Sequence, residues 1–76
     1  MKNQNISIEN QEFLENMACN FKSLRTEKGW SVKELSKISS IDEKILTDME
    51  SGQDFEVRYL IGLCRIYGIE PQKIFL

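Results

Sequence analysis

Between Gly29 and Gly52 the chain must begin and end two helices, and this stretch constrains the fold more than any other. Ser31 and Glu34 stand at the spacing of a capping box, in which each side chain answers the other residue's backbone N–H. Trp30, just before the cap, is placed to pack on Leu35 as a hydrophobic staple. The spacing predicts a short helix over about 32–39 with Leu35 and Ile38 facing inward. Asp42 is the next N-cap, with Ile41 ahead of it. Ile45, Leu46 and Met49 then keep a three- and four-residue step until Gly52 ends the run. Neither segment alternates as a strand would.

The flanks read the same way. Phe13, Leu14, Met17, Ala18, Phe21 and Leu24 form one face of a long first helix, and Gly29 is its C-cap. A fourth helix begins near Phe55 or Glu56. Its broad apolar face comprises Val57, Leu60, Ile61, Leu63, Cys64 and Tyr67. Gly68 stops it, with Ile69 placed for the apolar contact that follows a glycine cap. Pro71 suits the first turn of a last short helix carrying Ile74, Phe75 and Leu76. The expectation is one all-α, five-helix domain over 9–76, preceded by a polar, flexible segment 1–8.

Composition removes several function classes. There is no histidine, hence neither the commonest general base nor the commonest metal ligand. No paired carboxylates or glycine-rich phosphate loop stand out, so neither an enzyme nor a bound metal or cofactor is expected. No window nears the roughly eighteen apolar residues of a membrane span, and "MKNQNISIEN" lacks an apolar leader core, so the expected location is the cytoplasm. Cys19 and Cys64 form no CxxC pair and read as reduced thiols, with an interchain disulfide or a redox switch as the alternative. Ten bases against twelve acids give a net charge of −2, unlike a strongly basic, non-specific nucleic-acid binder.

Several landmarks occur together: Leu24-Arg25, "GWS" before the second helix, Leu35-Ser36, Ile41 after the turn, "MESG" at 49–52, and "YGIEPQKIF" at the end. In these the chain resembles the lambda-repressor-like, Cro/C1-type (XRE) helix-turn-helix family, from about Phe21 to Phe75. The resemblance implies a sequence-specific DNA-binding transcriptional regulator. Its third helix, about 42–50, would lie in the major groove of double-stranded DNA, and the protein would act as a homodimer. By the same resemblance Glu43, Lys44, Thr47 and Asp48 face base edges. Ser31, Val32, Lys33, Gln53 and Asp54 face phosphates, and Arg25 and Glu50 form an ion pair within the scaffold. Lys22, Lys28 and Lys37 are further candidates for attracting the backbone of DNA. The dimer surface would lie on the long first helix or at the apolar C-terminus.

The chain departs from the family in informative ways. Ser40 stands where glycine is usual, at a cost of about 1–2 kcal/mol if the left-handed turn is kept. Val32 replaces a phosphate-binding glutamine. From Asp42 to Glu56 there are six acids and one base, Lys44. A carboxylate can accept a hydrogen bond from the cytosine amine, so Glu43 and Asp48 are compatible with base reading. The same acidity suits an alternative, a protein-interaction module of this fold with weak or lost DNA binding. That module would meet a basic protein partner at the third helix, as an antitoxin meets its toxin.

Overall fold

The glycine after the first helix takes the left-handed conformation that a tight helix stop requires. Gly29 has φ 75°. Trp30 N–H reaches the Arg25 carbonyl at 3.2 Å and Gly29 N–H the Thr26 carbonyl at 3.0 Å, the two bonds of a Schellman cap. A computed structural model describes residues 11–75, with side-chain surroundings described through residue 73. The segment 1–8 and the side chains of Ile74, Phe75 and Leu76 therefore lie outside the described residues.

Among the described residues there are four α-helices and no strand. These are α1 (Gln11–Glu27), α2 (Val32–Ser39), α3 (Glu43–Glu50) and α4 (Val57–Tyr67). The last expected helix, Pro71–Phe75, winds as a 3₁₀ helix and not as an α-helix. α1 packs on α3 and on the 3₁₀ helix, while α2 packs on α3 and α4. Met17, Phe21, Leu35, Ile41, Leu46, Met49, Leu60, Leu63, Cys64 and Tyr67 meet in one core. Helices as short as α2 and α3 are not stable alone, so this burial holds them in place. A fully buried leucine such as Leu35 contributes about 1.5–3 kcal/mol.

Two inward assignments are corrected. Ile38 is 49% exposed and Ile61 is 43% exposed. On α2 the sheltered stripe is Val32, Leu35, Ser36 and Ser39, which leaves Ile38 at its edge. On α4 the buried stripe is Leu60, Leu63, Cys64 and Tyr67, and Ile61 falls beside it. Trp30 packs against the core, where its ring stacks on Tyr67 with centroids 6.2 Å apart and planes 24° apart.

The capping box is complete. Ser31 Oγ accepts from Glu34 N–H at 3.0 Å, and Ser31 N–H donates to Glu34 Oε1 at 2.8 Å. At the turn, Ser40 is left-handed with φ 62° and ψ 23°, alone among the described non-glycine residues in having a positive φ. Two serine hydroxyls brace the residue after it. Ser36 Oγ donates to the Ile41 carbonyl at 2.6 Å, and Ile41 N–H donates to Ser39 Oγ at 3.1 Å. These bonds offset part of the cost of a Cβ in the left-handed region.

Candidate nucleic-acid interface

The α2–turn–α3 unit is anchored from behind by one arginine. Arg25, near the end of α1, donates through Nε to Glu50 Oε2 at 2.8 Å and through Nη2 to Glu50 Oε1 at 3.0 Å. Its Nη1 donates to the Trp30 carbonyl at 2.8 Å. One guanidinium thus ties the end of α1, the entry to α2 and the last residue of α3. The two side chains are only 13% and 9% exposed. The Glu50 carboxylate raises the Arg25 pKa above its ordinary value, against the opposing effect of burial.

With Leu46 and Met49 buried and Glu50 turned to Arg25, the other side of α3 is left to solvent. Glu43, Lys44 and Thr47 are exposed and Asp48 is half-buried. Asp42 caps the helix by accepting from Lys44 N–H at 2.8 Å. Glu43 lies in the first turn, where a carboxylate complements the positive end of the helix dipole. Lys44 and Asp48 are not independent, because Nζ lies 3.5 Å from Oδ2 across one helical turn. The lysine ammonium and the Asp48 carboxylate thus partly offset each other.

The phosphate-facing candidates divide. Lys33 and Lys37 are exposed and one turn apart on α2. The Ser31 hydroxyl is committed to its capping bond. Val32 packs against the core, which suits valine in place of a polar side chain. In the loop after α3 Gln53 is exposed, and its backbone N–H donates to the Asp48 carbonyl at 2.9 Å. Asp54 is also exposed and accepts from the Phe55 N–H at 2.9 Å. Lys22 and Lys28 are exposed but belong to α1 and its end, so they do not join the α2–α3 cluster.

Sequence reasoning passed over Arg58. It is exposed in the first turn of α4, pairs with Glu56, and holds its guanidinium carbon 4.8 Å from the centroid of the Tyr59 ring. Its Nη2 donates to Tyr59 Oη at 3.0 Å. The neighbouring Glu56 charge is the main cause raising its pKa. An arginine two residues past the predicted start of a helix was the available signal. Arg25 and Arg58 together match two of the six acids between Asp42 and Glu56 from outside that stretch. Much of the apparent acidity is therefore capping and pairing.

The helix-turn-helix family model matches residues 21–74. The chain belongs to the lambda-repressor-like helix-turn-helix family. No curated protein and no solved structure matches it. For this helix-turn-helix domain, the match covers α2, the turn, α3 and α4, along with the half of α1 that carries Arg25. Among the described residues no helix is long and apolar enough to cross a membrane, and no group of His, Cys, Asp and Glu is arranged to hold a metal ion.

Proposed function

We propose that this helix-turn-helix domain is a transcriptional regulator that binds double-stranded DNA with sequence preference. It works in the cytoplasm as a homodimer on a two-fold site. α3 enters the major groove, where Glu43, Lys44, Thr47 and Asp48 meet base edges. Lys33, Lys37 and the Gln53 loop contact phosphates.

The observation that carries this reading is the two-sided build of α3. Leu46, Met49 and the Glu50–Arg25 pair fix one side, and the residues near its N-terminus are exposed beside a left-handed turn. That arrangement presents side chains to a groove on a rigid support, which base reading needs. Thr47 offers a hydroxyl and a methyl, Lys44 suits guanine, and the carboxylates suit the cytosine amine.

Affinity should be modest and weakly salt-dependent. Each neutralised phosphate adds about 0.9 to the slope of log affinity against log salt, and three lysines, Lys33, Lys37 and Lys44, give about 2.7. Selection from a random duplex pool, followed by anisotropy titrations across a salt series, tests the reading. The expected results are an enriched sequence and a slope near that value. A pool that stays random at low salt refutes it. Replacing Glu43 with glutamine and Asp48 with asparagine together should tighten binding to arbitrary duplexes and flatten the preference.

A further inference from the structure

Beside α3 lies a cleft whose chemistry does not suit DNA. It is lined by Ile45 and Asp48 of α3, by Asp54, Phe55 and Glu56 of the following loop, and by Tyr59 of α4. Its volume is about 240 Å³. That is below the roughly 300–1,000 Å³ of pockets that enclose whole small molecules, so its size fits a single long side chain. Among the described residues the lining holds three carboxylates and no base, along with half-buried Ile45, Phe55 and Tyr59. A phosphate entering here would meet like charge from these carboxylates, whereas a cation with a flat apolar face would meet both charge and ring.

The protein already displays that recognition once, on its own surface. Arg58 sets its guanidinium against the Tyr59 ring while pairing with the Glu56 carboxylate. The planar guanidinium is suited to this combination in a way an ammonium is not, because it stacks on a ring and also presents a donor fork to a carboxylate. Among the described residues two bases pair with carboxylates of the cleft, Lys44 with Asp48 and Arg58 with Glu56. Their side chains are 81% and 71% exposed. Exposed pairs of this kind contribute little, so an incoming cation can exchange with them at small cost.

We infer that this cleft receives an arginine side chain carried by a protein partner, which makes the acidic flank of α3 a second interaction surface beside the DNA-reading residues. Asp48 belongs to both surfaces, so a partner seated in the cleft and a duplex on α3 compete for it.

The probe is a blocked pentapeptide with two arginines flanking a leucine, compared with its lysine twin, titrated into the ¹⁵N-labelled full chain. Saturating amide shifts are expected at Ile45, Asp48, Asp54, Phe55 and Tyr59. The arginine peptide should bind about two- to fivefold more tightly than the lysine peptide. Asp54→Asn with Glu56→Gln should weaken it by about fivefold, whereas Glu70→Gln, on the 3₁₀ side of the molecule, should not change it. Tyr59→Leu keeps the site apolar and should abolish the preference for arginine over lysine. Shifts scattered over the surface, equal binding of the two peptides, or indifference to the double neutralisation would each overturn the inference. A duplex titrated separately into the same sample distinguishes the two readings. Peptide binding without duplex binding supports the cleft and removes the DNA reading. Duplex binding without peptide binding removes the cleft.

Discussion

Replacing Glu50 with alanine should cost this domain a large part of its stability. The pair with Arg25 is bidentate and its side chains are 13% and 9% exposed, so solvent screens it poorly. The variant leaves the guanidinium sheltered, with the Trp30 carbonyl as its remaining partner. Stranding one member of a buried pair costs about 3–5 kcal/mol. At about 0.05–0.15 kcal/mol per residue, a chain of 76 residues has about 4–11 kcal/mol in total. Urea unfolding followed by circular dichroism is the assay. With a slope near 1 kcal/mol per molar for a chain this small, the midpoint should fall by about 3–5 M, or the variant should be unfolded without urea. Arg25→Met combined with Glu50→Leu removes both charges and should recover most of the loss. A midpoint shift below about 1 M for Glu50→Ala would place the pair among exposed ion pairs worth about 0–1 kcal/mol and refute the reasoning.

Three further substitutions have expected outcomes. Ser40→Gly should raise stability by about 1 kcal/mol, because it relieves the Cβ at φ 62°; an unchanged or lower melting temperature would show that the serine bonds already remove the strain. Tyr67→Phe keeps the ring on Trp30 and deletes a buried hydroxyl with no hydrogen-bond partner among the described residues, so stability at neutral pH should be unchanged or higher by about 1 kcal/mol. Burial, with the Glu50 charge adding, pushes the Tyr67 pKa up from 10.0 to about 12. A raised folded pKa is a stabilising term complete below pH 10 and lost as pH rises toward 12, so alkaline unfolding of the wild type should show a loss that Tyr67→Phe lacks. Asp48→Asn releases Lys44 and removes a negative charge that repels the DNA backbone, so anisotropy should show tighter binding to arbitrary duplexes by up to about fivefold; weaker binding would mean that Asp48 orients Lys44 instead of restraining it.

What could be read in advance was what local rules determine. The Ser31–Glu34 box, the Asp42 cap and the glycine stops at Gly29 and Gly68 each depend on residues within one turn of one another, and each has the expected geometry. The left-handed Ser40 followed from family position, since nothing in serine itself asks for that conformation. Periodicity named the apolar residues of α2 and α4 but not the width of the buried stripe, so Ile38 and Ile61 were drawn inward when they sit at its edge. Arg58 had only its place near a helix start as a signal, because its meaning lies in the ring of Tyr59 and the carboxylate of Glu56, brought together by the start of α4. The Tyr67 hydroxyl, without a partner among the described residues, is likewise a property of packing, set by what surrounds a residue and not by its neighbours in sequence. Proline at 71 is equally at home in a 3₁₀ or an α turn, so the last helix could be located but not typed.

The anchoring of α3 from behind has a consequence for how readily such a domain can change. What buries and anchors the helix is supplied by Leu46, Met49, Glu50 and the cap at Asp42, with Ile45 packed beside them, whereas Glu43 and Lys44 add only an exposed dipole contact and an exposed ion pair, and Thr47 is exposed. Those three positions are thereby released from the fold. A library randomised there should express as folded protein almost throughout, and the same randomisation at 46, 49 and 50 should not. Preference for one partner or another can drift across the exposed positions one substitution at a time, without any intermediate that fails to fold.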